Sequence, residues 1–519
     1  MDMLLPFFTS EQHLHLGAAG MLVGLSIWLH WKGRTATALA ALTLGALVLR
    51  LFAIQLDPYL NFWDEVYHAA VARNMVASPF TPTLYTVEAM PTGDHWTNTR
   101  IWLHKPPFFL WQMAASISLF GAEPWAVRLP SALWTTALVP LTYRMARTIT
   151  HDHTTAFMSA LATACAFYYQ EVVSGALNTD HNDAIFIGAV ACSWWAWLEY
   201  LDRASRPWAV LAGLFSGAAI LTKWYVGASI FLPWTILLLV RGGDKRSWMD
   251  LLAAAGLCMI LAASWILHIL LRFPDQALFE WRFKAAHFNS SMDAHQGPWS
   301  YHLDIVHELV PPWSTFMVGA ALVLLFLKAS LQHRIFITSL IAAIHLLFGL
   351  AATKMPSYTM VLLPLYLIAL AHLVHRAVTI LPVRHHTLLL ALAGGVIAFV
   401  MMGIERTHHR HTLAEPRQEV QDPRRQQLAM SHVQDLLATY LTDPKRQVLF
   451  NLPAPHCIQF MFRTGINTMP GIPEPAVVDR LRRAGFEVVI VQDTMPADHL
   501  PAEATIVTPE ILRLPHWYP

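Results

Sequence analysis

Charged residues are scarce in this sequence. Of its 519 residues, 13% are charged and 55% are hydrophobic, and the mean hydropathy is +0.41. A soluble domain carries about 25% charged residues, so this composition argues against a soluble protein and predicts a polytopic membrane protein. The net charge of +1 provides no bulk attraction for nucleic acid, and no nucleic-acid partner is expected.

The sequence also lacks the patterns of metal-binding, disulfide-rich and nucleotide-binding proteins. The four cysteines follow neither a metal-binding nor a disulfide spacing, which favours roles as buried apolar side chains. The sequence contains no glycine-rich nucleotide loop and no Walker sequence, so ATP-driven transport has no support. The first residues contain no lysine or arginine, unlike a cleavable signal peptide.

Long apolar blocks fill most of the first 404 residues. A helix that spans a bilayer needs about 20 apolar residues, and one further piece, 107–120, is shorter and is expected to lie in the interface or to re-enter. The sequence therefore predicts an α-helical membrane domain over 1–404, with about twelve or thirteen transmembrane helices. The predicted spans are 13–30, 36–56, 126–147, 154–176, 182–200, 207–223, 225–241, 250–271, 312–330, 335–352, 357–375 and 385–403.

Basic residues indicate how the chain is oriented. They fall in alternate short loops, and such residues concentrate on the cytoplasmic side. Both termini, the outer loops 57–125 and 272–311, Asp180 and Lys354 are then expected on the opposite face. The basic residues are Lys32, Arg34, Arg144, Arg147, Arg203, Arg206, Arg241, Lys245, Arg246, Lys328, Arg334, Arg376 and Arg384.

The composition changes from about residue 405, where charged and proline residues become more frequent. Ser431–Leu441 and Ala476–Ala484 have helical patterns, and Gln447–Leu452 and Phe486–Val491 have strand patterns. Alternating helices and strands predict a small extracytoplasmic α/β domain over 405–519.

Two polar motifs stand in the first outer loop. Asp64 and Glu65 form an adjacent acid pair just beyond an apolar block, and ionisable groups at a membrane edge indicate function. The alternative is a hydrated loop pair or a helix N-cap. His104-Lys105-Pro106-Pro107 presents a lysine from a stiff turn, which suits a phosphate, although an interfacial snorkelling lysine is the simpler reading.

Three more polar motifs follow along the chain. The cluster Asn178–Asp183 lies between two spans, either as a functional site or as a polar hairpin. Thr353–Tyr358 offers a cation and a phenol at a bilayer edge, where Lys and Tyr also serve as anchors. The loop 272–311 holds several histidines, but the spacing of His287 and His295 fits no compact zinc motif.

Outer carboxylates and lysines together indicate a type of chemistry. Cations suit a lipid-linked phosphate whose prenyl tail lies in the membrane lipids, and they stabilise charge on a leaving phosphate. A carboxylate can orient or deprotonate an acceptor hydroxyl. These groups therefore predict glycosyl transfer from a polyprenyl phosphate.

An ordered set of motifs over roughly 50–370 resembles the polyprenyl-phosphate-dependent GT-C glycosyltransferases. Both the lipid A aminoarabinose transferases and the protein O-mannosyltransferases are similar, and the loop motif 295–301 resembles the former branch. The motifs are Asp64-Glu65 with Ala70–Met75, His104–Pro107, Leu119–Gly121, Trp125–Ala132, Thr179-Asp180, Leu221–Trp224 and Lys354–Tyr358.

The resemblance implies an inverting transfer of a pentose or hexose. Asp64 is expected as the base or orienter nearest the acceptor, and Asp180 as a second acid. Lys105, with Lys354 and Tyr358, is expected to hold the donor phosphate. Supporting roles fall to Glu65, Tyr67, Arg73 and Arg128, and Arg128 is expected to pair with a loop acid or to structure a helix start.

The sequence also departs from the aminoarabinose branch. Tyr67 stands where that branch has arginine, and His104 stands where it has the glutamate that, with a loop histidine, can hold a metal. The equivalent metal pair here would be His104 and His287, with zinc as the candidate ion. The span 13–30 is an apparent addition at the N-terminus.

The leading hypothesis is a bacterial inner-membrane glycosyltransferase that acts on the periplasmic face. Its acceptor is a lipid A-like glycolipid, another envelope glycan or a protein. A protein O-mannosyltransferase is the alternative enzyme. A secondary transporter is the alternative from another class of protein. A transporter predicts acids buried within spans, whereas the acids of this sequence cluster in outer loops. A structural membrane scaffold is a third class, and it would need no acid and lysine on one face.

Overall fold

The computed structural model describes residues 8–175, 180–290, 295–382, 385–404, 423–441, 443–492, 501 and 504–507. The chain forms two compact units. The first comprises 1–54, 105–109 and 129–407, and the second comprises 55–104, 110–128 and 408–519. The outer-loop segment 55–104 thus belongs to the same unit as the C-terminal region, whereas the sequence suggested a single division at 404–405.

Helices account for most of the chain up to residue 402. The helices in this region are α1 (Ser10–Trp31), α2 (Thr35–Ile54), α3 (Asp64–Met75), α4 (Phe108–Phe120), α5 (Pro124–Thr150), α6 (His153–Cys165), α7 (Phe167–Val173), α8 (Asp180–Arg203), α9 (Arg206–Lys223), α10 (Phe231–Arg241), α11 (Lys245–Arg272), α12 (Pro274–Asn289), α13 (Tyr301–Asp304), α14 (Val306–Leu309), α15 (Thr315–Lys328), α16 (Leu331–Leu350), α17 (Leu363–Ile380) and α18 (His386–Met402). Short 3₁₀ turns, Trp224–Ala228 and Pro356–Leu362, precede α10 and α17.

The helices confirm the predicted class of helical membrane protein. Each of the predicted spans overlaps a helix. Within the described residues, six helices are long and apolar enough to cross a membrane, and α4, α15 and α18 are shorter apolar helices. The six are Ser10–Trp31, Thr35–Ile54, His181–Arg203, Lys245–Arg272, Leu331–Leu350 and Pro356–Ile380.

One predicted span, 154–176, is interrupted. The chain leaves the helical conformation at Ala166, between α6 and α7. The buried guanidinium of Arg50 donates hydrogen bonds to the carbonyls of Thr163, at 3.0 Å, and Ala164. Arg50 therefore supplies donors to carbonyls that lose their partners where α6 ends.

Small residues allow the helices of the first unit to approach closely. A Cβ atom added to Gly213 of α9 would lie 2.3 Å from the Ala254 carbonyl oxygen of α11, which is far inside van der Waals contact. Gly256, also on α11, would meet no atom within 4 Å. Gly213 is therefore needed for this helix contact, as is common in membrane helices.

The C-terminal part of the second unit is a small α/β fold. Its parallel sheet has the order β2-β1-β3-β4, with β1 (Gln447–Phe450), β2 (Asn467–Met469), β3 (Glu487–Val491) and β4 (Thr505–Val507). Its helices are α19 (Pro423–Tyr440), α20 (His456–Thr464) and α21 (Pro475–Arg483). The predicted helices and strands correspond to α19, β1, α21 and β3, whereas α20, β2 and β4 were not predicted.

Candidate active site and donor-phosphate residues

The acid pair lies in the first turn of α3. The helix begins at Asp64, and Trp63 occupies the N-cap position without a side-chain cap, so the pair is not an N-cap. Carboxylates in a first turn interact favourably with the helix dipole. Both residues are buried, with Asp64 9% and Glu65 1% exposed.

Arg128 holds Glu65 in place. Its Nε lies 2.7 Å from Glu65 Oε1 and its Nη2 lies 3.2 Å from Oε2, and both side chains are fully buried. The same guanidinium donates to the carbonyls of Asp57, at 2.7 Å, and Tyr59, at 2.6 Å. Arg128 thus pairs with an acid at the start of α3, and its supporting role in the reaction stays a prediction. Glu65 and Arg128 fix the start of α3, which presents Asp64.

An aromatic cluster surrounds the next turn of α3 and includes His104. The His104 ring stacks on Trp96, with ring centroids 4.9 Å apart, and meets Trp102 edge-on at 5.7 Å. The Tyr67 ring meets Trp96 edge-on at 4.9 Å. Burial raises the pKa of the Tyr67 phenol well above its usual value. The phenol is therefore neutral at the position where the sequence comparison with the aminoarabinose branch expects an arginine.

The described residues do not supply a zinc site. Among them, no group of three or more His, Cys, Asp or Glu side chains is arranged to hold a metal ion, whereas zinc takes three or four protein ligands. The side chain of His287 lies outside the described residues, and the ring of His104 packs between tryptophans. The pair His104 and His287 stays a prediction, and no catalytic step is assigned to a metal.

Arg73 connects α3 to the C-terminal fold. Its Nη1 donates to the carbonyls of Met461, at 2.9 Å, and Phe462, in the last turn of α20. A cation at a helix C-terminus is favourable because it satisfies free carbonyls and complements the helix dipole. The α20 helix ends at Gly465, whose φ of +80° favours glycine. Sequence patterns did not reveal α20, so this contact was missed.

The lysine of the His104–Pro107 motif lies in the first unit. Lys105 is half-buried and lies within electrostatic range of two charged residues of α12, Glu280 and Lys284. Neither was among the candidate site residues predicted from the sequence. Their spacing of four residues along a helix would have indicated a shared face.

The second acidic motif opens α8. The backbone of Asp180 is the first residue of that helix, while its side chain lies outside the described residues, so its catalytic role stays a prediction. Three residues later, the buried Asp183 forms an ion pair with Lys223 at the end of α9. The Lys223 ammonium lies 5.5 Å from the centroid of the Tyr358 ring, within cation–π range. The motifs 180–183, 221–224 and 354–358 therefore meet in the first unit.

The Lys354 ammonium forms hydrogen bonds within the protein. Its Nζ donates to the carbonyls of Phe348, Gly349 and Ala351, at 2.9, 2.7 and 2.6 Å, at the end of α16. An ammonium has three N–H donors, and each has a carbonyl here. This geometry favours the helix-end anchor, and the donor-phosphate role of Lys354 stays a prediction.

Comparison with known proteins agrees with these motifs. The family model for dolichyl-phosphate-mannose-protein mannosyltransferase matches residues 104–268. A curated relative, the undecaprenyl phosphate-alpha-4-amino-4-deoxy-L-arabinose arabinosyl transferase of Pseudomonas aeruginosa (strain LESB58), is 27% identical over 310 residues, 56% of this chain and 54% of the relative. A second such transferase, from Pseudomonas fluorescens (strain Pf0-1), is 27% identical over 327 residues, 59% of this chain and 54% of the relative. The chain thus spans about half the length of these relatives.

A solved structure shows the fold. The crystal structure of ArnT from Cupriavidus metallidurans bound to undecaprenyl phosphate superposes with a TM-score of 0.63 at 18% identity, covering 86% of this chain and 89% of ArnT. Its apo structure gives a TM-score of 0.61 at 19% identity, covering 88% of this chain and 86% of ArnT. These likenesses confirm the predicted GT-C fold. The family model and the curated relatives confirm the resemblance to polyprenyl-phosphate-dependent glycosyltransferases.

Proposed function

We propose that the chain is an integral-membrane glycosyltransferase of the bacterial inner membrane. It moves a sugar from a polyprenyl-phosphate donor to a hydroxyl of a lipid A-like glycolipid or another envelope glycan on the periplasmic face. The observation that carries this proposal is the sequence similarity to undecaprenyl-phosphate aminoarabinose transferases over about 310 residues. The ArnT-like fold supports it.

Asp64 serves as the base in this reaction. The acceptor hydroxyl gives its proton to the Asp64 carboxylate as its oxygen bonds to the anomeric carbon of the sugar. A base must be held in a defined position, and the buried Glu65–Arg128 pair fixes the adjoining residue of the same helical turn. Attack on the face opposite the phosphate inverts the anomeric configuration.

Lys105 stabilises the leaving phosphate. As the bond between the anomeric carbon and the phosphate oxygen breaks, its electron pair goes to that oxygen, and polyprenyl phosphate departs with an additional negative charge. A nearby ammonium stabilises charge that develops in the transition state. Asp180 and Tyr358 are proposed to assist, Asp180 as a second acid that positions the acceptor and Tyr358 at the donor phosphate.

The family model for residues 104–268 favours a second candidate, transfer of mannose from a prenyl phosphate to protein. The two candidates differ in sugar and in acceptor. Full-length protein in nanodiscs is therefore supplied in turn with undecaprenyl-phosphate aminoarabinose and undecaprenyl-phosphate mannose. Each donor is tested with lipid A and with a serine- and threonine-rich polypeptide, and the products are identified by mass spectrometry.

Variants test the assigned residues. Asp64→Asn is expected to lower transfer by about 10²- to 10⁴-fold because it removes the base, and Lys105→Gln is expected to raise the KM for the donor. Lys328→Gln, at an exposed helix end, is the matched control. If both site variants retain full transfer while the wild type is active, the assignment is wrong. Trp63, next to Asp64, is 47% exposed. Labelling of Trp63→Cys and Ser205→Cys with an impermeant maleimide in intact spheroplasts is expected to modify position 63 alone, and modification of position 205 alone would refute the periplasmic orientation.

A further inference from the structure

A largely apolar cavity lies beside the C-terminal end of α16 in the first unit. Its volume is about 350 Å³, within the range of small-molecule sites. The 299–303 segment approaches α16 closely here, since a Cβ atom added to Gly349 would lie 3.2 Å from the Trp299 carbonyl oxygen. The lining residues include no Lys, Arg, Asp or Glu, and they are Trp299, His302, Leu303, His345, Leu346, Gly349 and Leu350.

The mouth of this cavity faces membrane lipid. α16 is long and apolar enough to cross a membrane, and its Leu346 and Leu350 side chains are exposed. Such side chains on a membrane-crossing helix meet lipid chains, which are as apolar as leucine. Trp299 is exposed as well, and tryptophan is enriched at the membrane–water interface. A ligand of this cavity is therefore expected to be a lipid chain, held near its headgroup because the cavity lies at the end of the helix.

Two imidazoles place polar atoms in the cavity. His302 is 1% exposed, and neither of its ring nitrogens has a hydrogen-bond partner within the described part of the chain. His345 Nε2 lies 2.7 Å from the Tyr366 hydroxyl, while its buried Nδ1 has no partner among the same residues. Burial lowers the pKa of His302 to about 4, so its ring is neutral, with one N–H donor and one acceptor nitrogen. A buried polar group without a partner is costly, and a ligand that carries a hydroxyl group would remove that cost.

We propose that the cavity binds an acyl chain with a hydroxyl group close to its headgroup, and that His302 forms the hydrogen bond to this hydroxyl. A hydroxyl both donates and accepts, so it can pair with either ring nitrogen. A prenyl chain is a hydrocarbon and offers no such partner. A phosphate would enter a cavity whose lining holds no cation, which is unfavourable. The ligand is therefore a hydroxyacyl lipid and not the donor.

The position of the cavity connects this lipid to sugar transfer. The His302 ring centroid lies 6.0 Å from that of Tyr358, and the Phe348 ring stacks on Tyr358 at 4.6 Å. A lipid in the cavity thus lies next to the 354–358 motif, which is proposed to act at the donor phosphate. This inference rests on the proposed function and deepens it, because it names the acceptor as a glycolipid with 3-hydroxyacyl chains.

Two synthetic acylated glucosamine phosphates test the inference, one with 3-hydroxytetradecanoyl chains and the other with tetradecanoyl chains. Full-length protein in detergent receives both in equal amounts, and native mass spectrometry measures the ratio bound. The wild type is expected to prefer the hydroxylated probe by about 3- to 10-fold, which corresponds to one hydrogen bond. His302→Leu is expected to bind both probes equally, and His302→Gln to keep a preference because an amide also donates and accepts.

A second pair of variants tests the cavity itself. Leu346→Trp is expected to weaken binding of both probes because the larger side chain fills the mouth of the cavity. Leu267→Trp replaces an exposed leucine on another membrane-crossing helix, α11. This matched control is expected to bind both probes as the wild type does.

Each other outcome has a definite meaning. Equal binding of the two probes by the wild type overturns the inference, as does a preference that persists in His302→Leu. If Leu346→Trp weakens binding of undecaprenyl phosphate as strongly as that of the hydroxylated probe, the cavity belongs to the donor and the inference is overturned. If the wild type shows the expected preference but transfers no sugar to the hydroxylated probe from either donor, the proposed function fails while the lipid site stands. Thermal unfolding without lipid identifies misfolded variants, and if His302→Leu is one of them, His302→Gln and Leu346→Trp carry the test.

Discussion

Replacement of Arg128 by methionine is expected to loosen the start of α3. The arginine is fully buried and donates to both oxygens of Glu65 and to the carbonyls of Asp57 and Tyr59. Methionine keeps much of the side-chain volume but leaves the Glu65 carboxylate buried without its cation. Loss of one partner of a buried ion pair costs about 3–5 kcal/mol. This cost should lower the free energy of local unfolding at the start of α3.

Hydrogen–deuterium exchange of the full-length protein measures this effect. A cost of 3 kcal/mol corresponds to roughly 100-fold faster exchange, and it is expected for the backbone amides of α3, Asp64–Met75. Transfer should fall in parallel because Asp64 adjoins Glu65. In the double variant Arg128→Met/Glu65→Gln, part of the protection is expected to return, because no buried charge is then left unpaired.

A matched control lies in the same unit. Arg100 pairs with Glu88 at 2.8 Å, but Arg100 is 34% and Glu88 82% exposed. Arg100→Met is expected to cost at most about 1 kcal/mol. The reasoning is refuted if Arg128→Met leaves the α3 amides as protected as in the wild type, or if the effects of Arg128→Met and Glu65→Gln simply add.

Three further predictions follow from individual contacts. Arg73→Gln is expected to cost about 1.5–3 kcal/mol and to speed exchange in the last turn of α20, whereas exchange unchanged there would show that the guanidinium contact is not stabilising. Burial lowers the pKa of His456 to about 4, so the unfolded chain binds the proton first as pH falls. The contribution of neutral His456 to the free energy of unfolding should then be complete above pH 6.5 and be lost between pH 6.5 and 4, by at most about 3 kcal/mol. The melting temperature of the wild type should fall over this range, and His456→Gln should make that fall smaller. Gly213→Ala is expected to cost about 1–3 kcal/mol in thermal unfolding because its Cβ would collide with Ala254, while Gly256→Ala should have no effect, and equal melting temperatures would contradict the close contact.

The membrane part of the fold was predictable because hydropathy is a direct consequence of the bilayer. Every predicted span overlaps a helix. The break at Ala166 was not predictable, because it involves a contact with Arg50, which is 114 residues from Ala164 in the sequence. In the C-terminal fold, β1, α21 and β3 carried clear patterns, whereas β2 and β4 are strands of only 3 residues, too short for a pattern to be recognised.

In the candidate site, too, the sequence predicted local motifs but not contacts between distant residues. Local motifs identified Asp64, Glu65 and Lys105, because ionisable residues are conspicuous in an apolar chain, whereas Lys223 appeared only within a motif of the family resemblance. Which of these residues pair could not be read from the sequence. Glu65 meets Arg128 63 residues away, and Asp183 meets Lys223 40 residues away. Such pairings depend on the folded arrangement of helices, and local patterns do not specify it.

The contact between Arg73 and α20 has a consequence for biosynthesis. The guanidinium and the Met461 carbonyl that it binds are 388 residues apart. A ribosome adds about 5–20 residues per second, so α3 waits roughly 20–80 s for this partner. The helix that carries Asp64 therefore acquires this contact only after residue 461 has been synthesised. A product that ends before Met461 would contain Asp64 but would lack the hydrogen bonds between Arg73 and α20.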